Sequence, residues 1–433
     1  MRSIVEIHLD GQWVPAAEFE PRNAPYTASF EYLPEYVFGT SPQPLSLILP
    51  VNTAPLGFDG EGFSPCPSFL MDLVPQGRGR KFLVHQLGVK DQGEATDLLL
   101  AQFGAFNPVG NLRLNTAVKF YDDYRVQFPD VKAEHFELDD IRGRSESFLE
   151  HIWLHSMLSA GTTGVQGAAP KFMLARDKEG LWCADAALPD ENAESHWLVK
   201  LPRGRDATDL QVLRNEAAYL RVADRCGLRV AGSPDLVDNM LFIPRFDRMV
   251  DGKGVHRLHQ ETLASLAGLL GFGMTESQFR LVNAFSKHVT HPAEEVAEFI
   301  RRDILNQALK NPDNHARNTS VQVLPDGTVQ LTPVYDFAPM YLDQDGIVRG
   351  CRWKLQNQPE VTDWNEVIEL LDIDEADKPE IVSAVRDFAS TVADLPTIMR
   401  DCDVDSKVIE DCRHSIDIQA ARLDQVRGYG QTP

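Results

Sequence analysis

One hairpin in the C-terminal half of the chain has carboxylate and amide side chains on both sides of it. The runs within 320–331 alternate apolar and polar residues around Asp326-Gly327. An Asp-Gly pair between two such runs is a strong signal for a tight turn between antiparallel strands. Asp313 and Asn318 precede this hairpin, and Asp336 follows it. The sequence therefore predicts a β-hairpin that brings three polar side chains together.

The spacing of these three residues matches the order that protein kinases use for phosphate transfer. In that order a catalytic aspartate is followed five positions later by a metal-binding asparagine, and a second metal-binding aspartate lies further along. Asn318 stands five positions after Asp313, and Asp336 follows the hairpin. Asp313 would orient an acceptor hydroxyl, while Asn318 and Asp336 would supply the oxygen ligands that Mg²⁺ prefers. Taken singly, each is an ordinary turn or helix-cap residue, and only the combination favours a metal site.

A glycine-punctuated stretch further upstream is a candidate phosphate loop. Gly161, Gly164 and Gly167 recur every third residue, which fits neither the Rossmann nor the Walker pattern. Glycines let backbone N–H groups approach a phosphate closely, and Lys171 is a nearby positive charge. A plain flexible loop explains the same residues equally well.

Three basic side chains are further candidates for phosphate contacts. Lys200 lies on a predicted strand among apolar residues, so a buried ammonium there needs an anionic partner, either a phosphate or Glu216. The alternative is an edge-strand lysine that points to solvent. His315 could contact phosphate or hold its own loop, and Arg317 could clamp charge or lie exposed.

Charge and cysteine usage exclude several classes of protein. The formal net charge of −22 opposes autonomous binding to nucleic acid, which rests on a basic surface. The basic run at 78–81 is therefore predicted to be a solvated loop. The six cysteines form no CxxC pair or Cys/His cluster, so we expect reduced, buried thiols. The first ten residues alternate like a strand and not like a signal peptide, which predicts a cytoplasmic protein. The most apolar stretch, around Leu263–Met274, is shorter than the ~18 apolar residues that a membrane span needs, so we expect no membrane-spanning helix.

The chain divides into three predicted segments: a β-rich part at 1–110, a mixed part at 111–255 and a helical part at 256–433. The predicted elements are short strands such as Pro44–Pro50, a small helix near Phe69–Val74, strands over 197–202 and 241–247, and helices over 206–226, 293–309 and 378–399.

The sequence resembles the HipA family over nearly its whole length. The resemblance rests on ordered motifs, namely Pro44–Pro50, Phe69–Pro75, Gly164–Lys171, Val199–Pro202, Asn215-Glu216, Arg245–Arg248, Asp313–Asn318 and Tyr335-Asp336. It implies an α+β fold that is bilobal and protein-kinase-like, with a β-rich N-terminal part and an all-helical C-terminal lobe. The three segments would then be an N-terminal subdomain, a kinase N-lobe with phosphate loop and hinge, and a kinase C-lobe.

The resemblance also implies ATP and Mg²⁺ as cofactors and assigns site residues. Asp313 resembles the catalytic aspartate, and Asn318 and Asp336 resemble the metal ligands. Pro244 and Phe246 match the hinge that meets adenine through its backbone, and Asp247 matches a carboxylate on the ribose. The implied ATP-binding residues are Gln166, Gly167, Ala168, Lys171, Lys200, Pro244, Arg245, Phe246, Asp247, His315, Asn318, Tyr335 and Asp336.

The implied activity is that of a serine/threonine-protein kinase toxin. Such toxins phosphorylate a serine of an aminoacyl-tRNA synthetase, glutamyl-tRNA synthetase in the best-known case, which arrests translation and promotes persistence. The implied partner is a small helix-turn-helix antitoxin, HipB, which neutralises the kinase and brings it to operator DNA as a corepressor.

Two positions depart from the family pattern. At Pro244 an acidic residue is frequent in the family, but only a backbone contact is expected there. Gly164 stands where family members often carry an autophosphorylated serine, so self-modification there is impossible. The substitutes are Ser147, Ser159, Thr162 and Thr163, each of which is also an ordinary surface or turn residue. Two alternatives stay open: a kinase-fold enzyme acting on a small molecule such as an aminoglycoside or sugar, and a catalytically silent module that binds an antitoxin.

Overall fold

The computed structural model describes residues 1–22, 24–56, 65–128, 135–156, 171–204, 206–252 and 254–428. The α-helices are α1 (Pro34–Val37), α2 (Gly77–Gln86), α3 (Glu94–Gly104), α4 (Asn115–Val126), α5 (Leu138–Gly143), α6 (Glu146–Ser156), α7 (Ala207–Arg225), α8 (Leu263–Leu266), α9 (Gln278–Ser286), α10 (Pro292–Ala308), α11 (Trp364–Glu369), α12 (Lys378–Asp387), α13 (Ala389–Ala393), α14 (Leu395–Asp401) and α15 (Ser406–Leu423).

The β-strands are β1 (Ser3–Leu9), β2 (Gln12–Pro21), β3 (Ala28–Tyr32), β4 (Leu112–Leu114), β5 (Lys171–Asp177), β6 (Trp182–Ala184), β7 (Ala193–Lys200), β8 (Asp235–Val237), β9 (Met240–Pro244), β10 (Arg248–Asp251), β11 (Gly254–Arg257), β12 (His259–Thr262), β13 (Glu276–Ser277), β14 (Ser320–Val323), β15 (Val329–Leu331) and β16 (Cys351–Arg352). Short 3-10 helices lie at Ser68–Leu73, Asp190–Asn192 and Met340–Leu342. The fold is a mixture of helix and sheet, as predicted. Within the described ranges, no helix is both long and apolar enough to span a membrane.

The chain forms two compact units. The N-terminal unit consists of Met1–Lys200 and Pro244–Phe272, and the C-terminal unit consists of Leu201–Ile243 and Gly273–Pro433. The division into three segments stays a prediction.

The first half of the N-terminal unit is built on an antiparallel sheet with the strand order β3-β2-β1-β4. Alternate residues of β1, including Val5 and Ile7, are buried against the core, as the period of a half-exposed strand requires. Helix α4 packs against β1, and α3 packs against α4. In the second half, β5 pairs with both β6 and β7.

Two predictions for the N-terminal unit are wrong. Pro44–Pro50 is not a strand: two prolines cannot donate to a sheet ladder, and Ser46 Oγ and the Leu47 N–H donate to the Glu261 carboxylate instead, at 2.7 and 2.9 Å. The basic run at 78–81 is not a loop but part of α2. Arg80 is held there by ion pairs with Asp91 and Asp97, which neutralise its charge.

In the C-terminal unit, α7 begins after Asp206, whose side chain accepts a hydrogen bond from the Thr208 N–H, and is followed by Gly227 at a φ of 74°. The predicted hairpin is confirmed, with Val323 paired to Val329. The prediction that the C-terminal lobe is all-helical is therefore wrong, because β14 and β15 lie in it and form main-chain hydrogen bonds with each other. The predicted helical stretch over 378–399 is divided into α12, α13 and α14. The break between α13 and α14 falls just before Pro396, which lies in the first turn of α14 and cannot donate to a preceding carbonyl.

All six cysteines are free and buried, as expected. Burial raises the pKa of the Cys66, Cys183, Cys226 and Cys351 thiols to about 12. These thiols therefore stay protonated at neutral pH, which keeps them unreactive.

A buried histidine makes the stability of the N-terminal unit depend on pH. His155 lies in α6 with its Nδ1 2.6 Å from the Tyr121 hydroxyl, and burial lowers its pKa from 6.5 to about 4. Between these values the unfolded chain binds a proton that the folded chain does not, so stability is lost as the pH falls. Lowering the pH from 7 to 5 reduces the free energy of unfolding. We expect this reduction to be about 2 kcal/mol smaller in His155→Gln than in the natural chain.

Urea unfolding at the two pH values measures this difference. The matched control is His85→Gln, because His85 lies exposed in α2. Equal pH dependence in the natural chain and His155→Gln would contradict the assignment.

Candidate functional site

The loop that follows α10 is fastened to the end of that helix. Lys310 has a left-handed φ of 54°, which turns the chain sharply after the helix. The Asn311 N–H donates to the Asn306 carbonyl at 2.8 Å, and its side-chain amide donates to Asn306 Oδ1 at 2.9 Å. Asn311 Oδ1 accepts from the Asp313 N–H at 3.3 Å. The position of Asp313 is therefore fixed through the helix end.

The side chain of Asn318 is oriented by the same loop. Its Nδ2 donates to the main-chain carbonyl of Asp313 at 2.8 Å, and its N–H donates to the carbonyl of His315 at 2.8 Å. The Asn318 Oδ1 atom is buried and accepts no hydrogen bond from any residue that the structure describes. A buried carbonyl oxygen without a donor is costly in a folded protein, and a cation would remove that cost.

The carboxylates of Asp313 and Asp336 both act on His315. Its Nε2 lies 3.5 Å from Asp313 Oδ1. Burial lowers the pKa of His315, while the carboxylates of Asp313 and Asp336 act in the opposite direction. Both carboxylates are therefore close enough to the imidazole to influence its protonation.

The hairpin returns the chain to the same loop. Tyr335 donates its hydroxyl to the Arg317 carbonyl at 2.9 Å and lies 2.7 Å from Ser320 Oγ. The next residue, Asp336, has a left-handed φ of 50°, a conformation that aspartate tolerates better than most residues. Arg317 is buried, which excludes the solvent-exposed alternative for its side chain.

Two residues that support this loop, Asn314 within it and Asp303 on α10, were not predicted. Asn314 exchanges two hydrogen bonds with the main chain of Cys351, at 2.8 and 3.2 Å. Its amide also lies 3.4 Å from Asp303, a buried carboxylate that accepts from Arg349 and Trp353. The signal available in the sequence is helical spacing: Asp303 stands three and four residues after Ile300 and Phe299, on the apolar face of α10, where a charge needs partners.

A metal at this loop would need ligands other than a carboxylate cluster. Within the described ranges, no group of three His, Cys, Asp or Glu side chains is arranged to hold a metal ion. The buried oxygen of Asn318 and the carboxylate of Asp336, which acts on the His315 imidazole, are the hard oxygens that this region offers. Mg²⁺ fits such a set, since it is commonly held by one or two protein carboxylates together with waters and substrate phosphates.

The N-terminal unit carries the two candidate lysines. Lys171 and Lys200 are directly paired positions at one end of the β5–β7 ladder. Lys200 is buried, which excludes the solvent-exposed alternative. Side chains of directly paired residues lie on the same face of a sheet, where like charges repel each other. The two candidate lysines are therefore neighbours on one face of the sheet.

The predicted hinge residues begin at Pro244, the last residue of β9, and lie in the N-terminal unit. Pro244 and Phe246 are half-buried. The side chains of Arg245 and Asp247 are each 4% exposed and pair with each other at 2.7 Å. The ribose contact of Asp247 stays a prediction.

Several predicted residues lie outside the described ranges, namely Gln166, Gly167 and Ala168 of the phosphate loop and the candidate acceptors Ser159, Thr162 and Thr163. The remaining candidate acceptor, Ser147, is exposed in the first turn of α6.

The fold defines a mixed helix-and-sheet protein whose helical unit carries an Asp/His/Asn loop followed by a hairpin and a further aspartate. Residues 5–115 match the family model described as HipA N-terminal domain, and residues 163–395 match the one described as HipA-like C-terminal domain. The chain belongs to the HipA family.

Two curated proteins of Sinorhizobium fredii are similar to this chain. "Putative kinase Y4dM" is 28% identical over 62% of this chain and 61% of its own length. "Putative kinase Y4mE" is 25% identical over 71% of each. This chain therefore spans about three fifths of the first relative.

A solved chain from the complex of Shewanella oneidensis MR-1 HipA, HipB and operator DNA shares the fold. It has a TM-score of 0.63 and 18% sequence identity, and the match covers 97% of both chains.

Proposed function

We propose that this chain is an ATP-dependent serine/threonine-protein kinase that acts as the toxin of a toxin–antitoxin pair. The observation that carries the proposal is the orientation of Asn318. Its amide nitrogen is bound by the Asp313 carbonyl, which leaves its buried oxygen available to a cation. The same hydrogen bond ties the proposed metal ligand to the proposed catalytic aspartate.

In this proposal the C-terminal unit supplies the groups for phosphate transfer. Asp313 accepts a hydrogen bond from the acceptor hydroxyl and takes its proton, and His315 contacts phosphate. Asn318 and Asp336 hold Mg²⁺, which would neutralise charge on the phosphate oxygens of ATP. Phosphate transfer needs mainly positioning and charge stabilisation from the protein, and a loop fixed to a helix end suits that need.

The N-terminal unit supplies nucleotide contacts in the same proposal. Lys171 and Lys200 bind the phosphates together with the loop residues Gln166, Gly167 and Ala168, and the main chain at Pro244–Phe246 meets adenine. The pairing of Lys171 with Lys200 in the β5–β7 ladder supports this role, because it puts two cationic side chains on one face of the sheet.

The partner and target are proposed from the family. The similar solved chain comes from a complex with HipB and operator DNA, which supports a HipB-like antitoxin that carries this chain to DNA. The net charge of −22 fits contact with DNA mainly through that partner. We propose a serine of an aminoacyl-tRNA synthetase, glutamyl-tRNA synthetase first, as the acceptor. Phosphorylation of the synthetase would arrest translation and promote persistence.

Phosphate transfer from ATP labelled at the γ-phosphate tests the proposal. The intact chain is incubated with Mg²⁺ and purified aminoacyl-tRNA synthetases in one set, and with aminoglycosides and sugars in another. We expect label on a serine or threonine of a protein, located by mass spectrometry. The same spectra report self-modification at Ser147, Ser159, Thr162 or Thr163.

Two results would contradict this function. Label found only on small hydroxyl compounds would make the chain a small-molecule phosphotransferase. A folded chain that binds its antitoxin but transfers no label to any acceptor would be a silent binding module.

A further inference from the structure

A buried ion-pair network surrounds the hinge segment, residues 244–246, in the N-terminal unit. Arg245 donates from Nη1 to Asp185 Oδ2 at 2.8 Å, and from Nε and Nη2 to the two Asp247 oxygens at 3.0 and 2.7 Å. These three side chains are each 4% exposed or less. Charges on both sides of Phe246 are therefore fixed inside the protein.

Residues 107–110, which lie near the end of the HipA N-terminal domain, bind this network. Arg248 donates to the carbonyls of Gly110 and Pro108 at 2.8 and 3.1 Å, and to Asp247 Oδ2 at 2.6 Å. The Gly110 N–H donates to the same Asp247 oxygen at 2.9 Å. The Asn107 side chain donates to Asp185 Oδ2 at 2.6 Å.

The main chain of the hinge segment is held on both sides as well. The Arg245 N–H donates to the His196 carbonyl on β7 at 2.9 Å. The Asp247 carbonyl accepts from the Leu258 N–H at 3.0 Å. Phe246 thus lies between Arg245 and Asp247, each of which makes hydrogen bonds through both its side chain and its main chain.

Stability alone does not explain a buried ion-pair network of this kind. Burying charges costs several kcal/mol per ion, and well-packed apolar residues often stabilise a fold as well or better. Fully bonded buried polar groups instead impose one specific arrangement on the segments that they join. The arrangement imposed here is the backbone geometry of the hinge segment.

We propose that residues 107–110 hold the hinge segment in the conformation that binds the nucleotide base, with Asn107, Asp185 and Arg248 as positioning residues. The N-terminal domain then sets the affinity for ATP without contacting it. This inference rests on the proposed ATP-binding function.

The test compares two buried charges that fasten the 244–272 segment to the N-terminal domain. Arg248→Met removes a network member beside the hinge. Glu261→Met is the matched control. Glu261 is buried and accepts hydrogen bonds from Ser46 and Leu47 at 2.7 and 2.9 Å, and among the described residues it has no bond to the hinge network. The intact proteins are titrated with ATP and Mg²⁺ by calorimetry, and their melting temperatures are measured. Phosphate transfer gives KM values for ATP and for the protein acceptor.

We expect both variants to melt at lower temperature but only Arg248→Met to raise the Kd for ATP, by about 10-fold. Its KM for ATP rises while its KM for the acceptor does not, and Arg248→Lys restores part of the affinity. If Arg248→Met does not fold, Asn107→Ala decides, and we expect it to raise the Kd in the same direction.

Other outcomes would overturn the inference. An unchanged Kd in folded Arg248→Met, or in Asn107→Ala where that variant decides, rejects positioning by this network. An equal rise in Glu261→Met shows that loss of stability alone explains the effect. A natural chain that binds no ATP defeats the proposed function itself, which is a distinguishable result.

Discussion

Asp313→Ala is expected to lower the rate of phosphate transfer by about 10³-fold or more, because it removes the group that orients and deprotonates the acceptor hydroxyl. The effect should be chemical and not structural. The hydrogen bond that orients Asn318 is donated by its Nδ2 to the Asp313 main-chain carbonyl, which alanine retains. The attachment of the loop to Asn306 through Asn311 is also unaffected. We therefore expect the variant to fold and to bind ATP with Mg²⁺ normally.

Initial rates of label transfer from γ-labelled ATP to a protein acceptor measure this loss. Asp401→Ala is the matched control, since it removes an exposed carboxylate at the end of α14. We expect the control to retain the natural rate. A turnover of Asp313→Ala within about 10-fold of the natural chain would be too fast for the loss of a catalytic group and would remove Asp313 from that role.

Asp336→Asn is expected to reduce transfer by about 10²-fold or more and to shift the Mg²⁺ requirement to higher concentration, because it removes a negative charge from the proposed metal site. Asparagine is the informative substitution, since it tolerates the left-handed φ of 50° that alanine would adopt only with strain. The backbone and the Tyr335 contact to Arg317 should therefore persist.

The Mg²⁺ dependence of the transfer rate and the melting temperature of the protein separate two explanations. Loss of rate at unchanged melting temperature, partly recovered at high Mg²⁺, is the expected pattern. The turn residue Asp326 gives a matched control in Asp326→Asn, because its carboxylate accepts from the Thr328 N–H in the hairpin turn. An unchanged Mg²⁺ dependence in Asp336→Asn would contradict metal binding by Asp336.

The hairpin and the residues around it were predictable from the sequence because their signals are local. The Asp326-Gly327 turn, the alternation of the two strands and the five-residue interval from Asp313 to Asn318 are all visible within a short segment. The helix predicted over 206–226 was predictable for the same reason, and α7 covers Ala207–Arg225. Local patterns of this kind report backbone conformation directly.

The supporting contacts were not predictable because they join residues distant in sequence. Asp303 accepts hydrogen bonds from Arg349 and Trp353, and Glu261 accepts one from Ser46. These residues are too far apart in the sequence for a local pattern to predict the contacts. Pro44–Pro50 alternates like a strand, yet its hydrogen bonds go to Glu261. The bond from Arg248 to Gly110 likewise depends on the completed fold.

The most direct test of the central claim is a crystal structure of the intact chain with Mg²⁺ and a non-hydrolysable ATP analogue. The proposed function predicts a metal ion at about 2.1 Å from Asn318 Oδ1 and from an Asp336 carboxylate oxygen, with Asp313 facing the γ-phosphate. A nucleotide bound elsewhere, or a metal that contacts neither Asn318 nor Asp336, would contradict it.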